Sequence, residues 1–258
     1  MSYKDLDVYK SYESSPFLSI KHSNYFGVYS DILEKYRGKN ITFLEIGVYN
    51  GGSLFMWRDF FGPKARIIGV EFNPLAKKWE DHGFEIYIGN QADPTFWASF
   101  FKQVGPVDVV LDDGGHTNEQ QIVTSCICIN NINNGGVMVV EDTHSSYLTR
   151  FGNPSRYSFV EWSKTIIDDI NYRSSELNIN SRFYKDVVYS VGFYESIACF
   201  YIDRSKCVRG APTSNSGESS HAVDFRYKDS ILDRIRLKSR VVFFLVMWLK
   251  NFKLKKYF

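Results

Sequence analysis

The stretch TFLEIGVYNGGSLFMWRDFF, residues 42–61, constrains the rest of the chain more than any other. A short apolar run carries Glu45 near its end, opens into a turn containing Gly47, Gly51 and Gly52, and continues as an aromatic-rich segment. That order predicts a buried strand, a tight turn and a helix start. Three glycines in such a turn let the backbone approach a ligand closely. A dinucleotide turn needs G-x-G-x-x-G with helix-start amides aimed at a pyrophosphate. Here the order is Glu45-x-Gly47-x-x-x-Gly51, with a carboxylate at the strand end. A carboxylate repels a pyrophosphate and suits a cation, such as the amino group of an amino acid. The competing reading of the glycines is a purely structural turn.

The pattern repeats along the chain. Residues 65–72 (ARIIGVEF) predict a second strand closing on Glu71, 26 residues after Glu45. An acid there commonly takes ribose hydroxyls, its alternative being a solvated strand end. Residues 84–88, 107–111 and 135–140 predict three more strands, and 23–36, 53–61, 119–130 and 158–172 predict helices, with Pro94 opening another. Strands alternating with helices at this interval predict an α/β fold with a Rossmann-like, mostly parallel sheet. Residues 186–193 and 195–202 form two strands with almost no connector, which implies an antiparallel hairpin at the sheet edge. The loop after the third strand offers Gln91 and Asp93 towards an adenine ring. Tyr49 and Ser53 of the glycine turn and Asp112 complete the candidate cofactor set. The domain reading is an irregular arm over 1–22, the sheet domain over 23–210, a linker over 211–228 and a helical tail over 229–258.

Two strand ends carry most of the chemistry. Asp112, Asp113 and His116 follow the fourth strand, and Glu141, Asp142 and His144 follow the fifth. Adjacent parallel strands bring these tips together. Crowded carboxylates repel one another, so something cationic must compensate. An oxygen-rich set suits a hard ion such as Mg²⁺, Mn²⁺ or Ca²⁺, and no cysteine is placed to favour zinc. Unrelated capping and loop acids are the alternative.

These motifs, LEIGVYNGGSLFMWRDFF, LDDGGH and EDTHSSY, resemble those of class I S-adenosylmethionine-dependent methyltransferases. They closely resemble the metal-dependent sugar O-methyltransferases of mycinamicin- and tylosin-type macrolide glycosides, whose relatives include methyltransferases of polysaccharide biosynthesis. The resemblance runs from about Lys21 to Asp203. It implies that S-adenosylmethionine binds the glycine turn, that Asp113, Glu141 and Asp142 bind Mg²⁺ (or Mn²⁺), and that His116 is the general base, with His144 as fallback. It also implies a sugar or nucleotide-sugar acceptor, with Tyr147, Phe151 and Tyr157 as candidate pocket aromatics. The loop reads GGH where relatives often have a serine before the histidine, and the large N-terminal domain of the macrolide enzymes has no counterpart. An NAD-dependent oxidoreductase is disfavoured by the missing third glycine and Glu45. A binding protein without catalysis is disfavoured by the complete acidic set.

Charge is uneven along the chain. From Arg226 onward ten Lys and Arg stand against Asp229 and Asp233, a net +8, whereas the preceding 21 basic and 27 acidic residues give −6. The body is therefore no candidate for phosphate-backbone binding, and no nucleic-acid partner is expected. In the tail, basic residues flank VVFFLVMWL at 241–249, nine apolar residues where a bilayer span needs ~20. Two readings stay open: a helix packing on the domain or on a second subunit, and an interfacial helix meeting anionic headgroups. The polar start, Met1 to Ser15, and the unpatterned cysteines fit a cytoplasmic protein.

Overall fold

The computed structural model describes residues 2–151, 155–174, 177 and 183–218. The chain divides into two units, residues 1–211 and 212–258. Expectations for the tail, and for most of the linker before it, fall outside the described residues.

Seven strands form one sheet in the order β3-β2-β1-β4-β5-β7-β6. They are β1 (Thr42–Ile46), β2 (Arg66–Glu71), β3 (Glu85–Ile88), β4 (Val107–Asp112), β5 (Ile132–Val140), β6 (Val188–Tyr194) and β7 (Ile197–Ile202). The first five pair in parallel, and β7 pairs antiparallel with both β5 and β6. The edge strand is therefore β6. The strand running against the rest is β7, second from the edge, because the short hairpin folds its later strand onto β5. Ser196, at φ 63°, makes that turn.

The helices are α1 (Asp7–Glu13), α2 (Tyr25–Leu33), α3 (Gly52–Phe61), α4 (Pro94–Val104), α5 (Asn118–Cys128) and α6 (Phe159–Asn171). A 3-10 segment, Pro74–His82, links β2 to β3. Both sheet faces are covered, so the strands read as apolar runs rather than alternating ones. Successive residues still point to opposite faces. Phe43 packs with α1, α2 and α3, while Leu44 and Ile46 pack with the core that includes Trp97, Phe100 and Cys128.

The arm differs from the irregular segment that its polar sequence suggests. Residues 7–13 are helical and pack on α3, with Val8 buried and Ser11 Oγ donating to Asp59 at 2.6 Å. Seven residues show too little periodicity to reveal a helix, and one that short depends on tertiary packing.

Trp57 of α3 is wholly buried among Phe43, Phe61 and Tyr29, and its indole N–H donates to Glu45 Oε1 at 3.1 Å. Trp57→Ala is expected to destabilise the protein by about 3–5 kcal/mol, since it opens a cavity beside a buried carboxylate. Urea unfolding of the two proteins measures the difference, and a loss below ~1 kcal/mol would contradict this packing.

Candidate active site

Strand order reverses at β1: β2 and β3 lie on one side of it, β4 and β5 on the other. In open α/β sheets the crevice at such a switch point receives ligands. A cleft of ≈ 840 Å³ lies there, lined among others by Gly47, Val48, Tyr49, Asn50, Ser53, Glu71, Gln91, Asp113, His116 and Asp142. Backbone hydrogen bonds continue the sheet beyond its strand ends and hold the loops side by side. Asp113 N donates to Ile46 O, Glu141 N to Asp112 O, and Gly47 N to Val70 O, each at 2.9 Å.

On the β2 side Glu71 anchors two loops. Its Oε2 accepts from the amides of Val48 and Tyr49 at 2.9 and 3.1 Å, and its Oε1 from those of Phe72 and Asn73 at 2.8 and 3.0 Å. Glu71 therefore shapes the glycine turn as well as lining the cleft. The glycines serve the protein itself. Gly47 sits at φ 89°, where a Cβ would lie 2.1 Å from the carbonyl oxygen of Asp113, and a Cβ on Gly51 would strike the Trp79 ring. Gly51 does not line the cleft.

Glu45 is not on the cleft wall either. It shares the face of Phe43, is fully buried, and accepts from Ser53 Oγ at 2.9 Å and from Trp57. Burial pushes its carboxyl up to about 7, against the opposing pull of Lys21. Asp93 is spent as the N-cap of α4, accepting from Thr95 N at 2.8 Å. Asp112 and Gln91 form an internal lock. Gln91 Nε2 donates to Asp112 Oδ1 at 3.0 Å, and its Oε1 accepts from Gly115 N at 2.8 Å. Desolvation raises Asp112 to about 7, although the Gln91 and Gly114 hydrogen bonds oppose it.

Asp113, His116 and Asp142 come together on the cleft wall. His116 Nε2 lies 3.4 Å from Asp142 Oδ2 and 3.9 Å from Asp113 Oδ1. The three offer ligand atoms all within 4.8 Å of one another, and so do His22, Asp142 and His144. Tyr49, His116 and Asp142 are non-glycine residues held at φ 47°, 58° and 53°. Backbone strain of this kind concentrates at functional sites. Tyr25 clamps Asp142, donating to Oδ1 at 2.5 Å and accepting from its amide at 3.3 Å.

Glu141 is drawn away from that group. It is buried, absent from the cleft wall, and accepts from Tyr29 at 2.5 Å and from Lys21 Nζ at 3.0 and 3.1 Å. Lys21 Nζ also reaches Asp113 Oδ2 at 2.6 Å, and its side chain is 1% exposed. Burial alone would push this ammonium down, but Asp113, Glu141 and Glu45 more than offset that and hold it raised. Burial and the Asp113 charge push the Glu141 carboxyl upward, against Lys21 and Tyr29. The compensating cation demanded by the crowded acids is thus partly built into the chain.

Lys21, His22, Tyr25 and Tyr29 were not among the candidate residues. The four-residue spacing of the tyrosines places both hydroxyls on one helix face, a readable signal without a readable destination. Nothing local marks Lys21. Tyr147 and Tyr157 are exposed, and neither they nor Phe151 line the cleft.

The fold is that of the class I methyltransferases. No family model matches the chain. It is 30% identical over 159 residues to L-olivosyl-oleandolide 3-O-methyltransferase of Streptomyces antibioticus, a match covering 57% of this chain and 41% of that protein. It is 31% identical over 154 residues to mycinamicin VI 2''-O-methyltransferase of Micromonospora griseorubida, covering 54% and 37% respectively. Among solved structures, the methyltransferase MycE of mycinamycin biosynthesis, in complex with Mg and SAH, superposes with a TM-score of 0.70 at 25% identity, covering 83% of this chain and 56% of that one. The chain is a homologue of the sugar O-methyltransferases of glycosylated natural products, and it spans about two fifths of the length of these curated relatives.

The raised carboxyls carry a pH signature. Asp112 binds its proton more tightly folded, at about 7, than at its ordinary 3.8. The folded state then holds the extra proton between those values, so this group's contribution to stability falls as pH rises through that window. Asp112→Asn keeps the Gln91 contact and removes the titration. Its melting temperature relative to wild type is expected to improve from pH 5 to pH 7.5 in ion-free buffer; a constant difference would refute this.

Proposed function

We propose that this chain is an S-adenosylmethionine-dependent O-methyltransferase acting on a sugar hydroxyl with the help of a divalent ion. The observation that carries the reading is the placement of Asp113, His116 and Asp142 on the wall of a cleft that also reaches Glu71 and the glycine turn. The named relatives act on sugars of natural-product glycosides. Nucleotide-activated and polysaccharide-bound sugars present the same hydroxyls and belong in the same substrate panel.

The residues fit both groups. Asp113 and Asp142 supply hard oxygen donors facing the cleft, which Mg²⁺ or Mn²⁺ prefers. Glu71 and the backbone it holds fit the adenosyl end by position and negative charge, with the carboxylate's acceptor sites shared between the four backbone amides and any ribose hydroxyl. When bound, the ion supplies Lewis acidity that makes a hydroxyl easier to deprotonate, and S-adenosylmethionine supplies an already electrophilic methyl group.

What the chain contributes is position and a proton acceptor. The cleft holds acceptor and methyl donor in one crevice, replacing a bimolecular encounter by an oriented one. Transfer of the methyl group would break its bond to the sulfonium sulfur, leaving a neutral thioether, and would require the acceptor hydroxyl to lose its proton. His116 is the histidine on the cleft wall, and its Nε2 is the atom placed to take that proton. The charge the imidazole gains is countered by Asp142 and Asp113 on either side of it. Tyr25 fixes Asp142 so that this counter-charge stays aligned.

Chelation with EDTA is expected to abolish methyl transfer, with Mg²⁺ or Mn²⁺ restoring it. Full turnover after verified removal of the ion would defeat the metal-dependent reading. His116→Ala should retain cofactor binding and lose ~10²–10⁴-fold in kcat. If its kcat is unchanged, the proton acceptor is another group, and His144→Ala tests that alternative.

For the cofactor, Glu71→Gln removes the charge and turns an NH2 donor towards two of the four backbone amides that Glu71 now accepts from. S-adenosylmethionine affinity should fall about one to two orders of magnitude, the loss of a charge-assisted hydrogen bond worth ~1.5–3 kcal/mol. Calorimetry with S-adenosylmethionine, and with NAD as a control, reads this directly. Unchanged affinity would remove Glu71 from the cofactor site.

A further inference from the structure

Glu45 is spent on Ser53 and Trp57, which leaves the amino-acid end of S-adenosylmethionine without the partner that the glycine turn suggested. Three groups hang from the sulfonium sulfur: the adenosyl group, the methyl group and the amino-acid chain. On the proposed function Glu71 takes the first, and Asp113, His116 and Asp142 face the second. The third carries an ammonium and a carboxylate. The ammonium is at home in a cleft whose acids, among the described residues, are Glu71, Asp113 and Asp142. The carboxylate is not. It needs hydrogen-bond donors on a stretch of wall without acids.

The arm supplies that stretch. Leu18, Ser19 and Ile20 line the cleft, and the chain around them is firmly held. The Phe17 ring packs on Trp79 at 4.6 Å and on Phe55 at 5.0 Å, and Ser15 Oγ donates to Gly52 O at 2.8 Å. The main chain lies against the start of α3: a Cβ on Gly52 would come within 2.3 Å of Phe17 O and 2.5 Å of Leu18 O. Tyr12 OH donates to Ser19 O at 3.1 Å, whereas the Ser19 hydroxyl has no protein partner among the described residues. Leu18 and Ile20, on either side of it, are 58% and 69% exposed. Apolar side chains left so open on a cleft wall mark a surface that a ligand covers.

We propose that the arm is part of the cofactor site, with Ser19 as the residue whose hydroxyl donates to the carboxylate of S-adenosylmethionine. This rests on the reading that the cleft binds that cofactor. The amino-acid chain is short, so its carboxylate stays close to the sulfur. The turn at residues 47–50 lies between the places of the other two groups, since Glu71 holds the amides of Val48 and Tyr49 while Gly47 borders Asp113 O. The arm meets the chain just past that turn, at Gly52, and so brings Ser19 beside it. A donor on a wall already held in place loses little freedom when the ligand arrives. Lys78 is the competing group, a lysine on the same lining. Its ammonium lies over the Trp79 ring, 4.6 Å from the centroid, on the connection between β2 and β3.

The test is calorimetry of the full chain with S-adenosylmethionine and with its decarboxylated analogue, two ligands that differ by the carboxylate alone. Wild type is expected to bind the first about tenfold more tightly or better. Ser19→Ala should weaken S-adenosylmethionine about tenfold, as for loss of a hydrogen bond to a charged group, and leave the analogue within about twofold. Ser19→Thr keeps the hydroxyl and should stay within about threefold of wild type for both. Equal losses for the two ligands in Ser19→Ala would make Ser19 a structural residue and overturn the proposal. A wild type without preference for the carboxylate overturns it too, as does a Lys78→Met that abolishes the preference while Ser19→Ala retains it. Wild-type protein that binds neither ligand would instead overturn the proposed function itself, an outcome separate from the behaviour of the variants. If Ser19→Ala does not fold, amide exchange over residues 17–21 of wild type decides: S-adenosylmethionine should slow it more than the analogue does, and equal protection would overturn the proposal.

Discussion

The buried contact of Lys21 with Asp113 and Glu141 is the interaction on which the site depends. Five carboxyl groups, Glu45, Asp112, Asp113, Glu141 and Asp142, gather around the ends of β1, β4 and β5. In a low-dielectric interior such a group could not stay ionised together without a cation close by. Lys21 lies within 3.1 Å of two of them, and its charge also bears on Glu45. With one ammonium for several acids, the balance stays negative at the cleft wall. A negative wall beside a cofactor-sized crevice is what a divalent ion and a sulfonium both favour.

The aromatic helix α2 is the second support. Tyr25 and Tyr29 deliver hydroxyls to Asp142 and Glu141, and their own ionisation is pushed upward by burial and by those carboxylates. They therefore remain donors throughout the physiological range. A donor that cannot ionise is the right partner for a carboxylate whose orientation matters. The strain at His116 and Asp142 is held in place by the same scaffold. Tyr25 bridges the backbone and side chain of Asp142, and Ser145 Oγ donates to His116 O at 2.8 Å.

Asp113, His116 and Asp142 stand where adjacent strand tips should bring them, because parallel pairing follows from the strand–helix alternation. Glu71, Tyr49 and Ser53 line the cleft for the same reason. Glu45, Asp93, Asp112 and Gln91 have the right chemistry in the right loops, yet each has at least one polar atom taken by a protein group, while Asp112 Oδ2 is buried without a partner. Sequence position gives a residue's strand and its parity, and says little about which neighbour claims it. Glu45 shows this plainly: one residue along from Leu44, it faces the opposite core, where Ser53 and Trp57 wait for it.

By itself the sequence determined the layering, the mostly parallel sheet, the glycine turn and the acids at the strand tips, since these follow from periodicity, turn chemistry and the alternation of elements. It also established that a cation was needed, because the excess of acids at two tips is a matter of counting charges. Only the tertiary structure decided which cation. The Lys21–Glu141 contact spans 120 residues, and no local pattern encodes a pairing that exists only once the arm has packed along the sheet. The same holds for Gly47 and Gly51, whose need for a missing Cβ comes from Asp113 and Trp79, neighbours brought near by folding. Local rules act over a few residues, whereas the partition of buried carboxylates between structure and chemistry is settled by contacts across the whole domain.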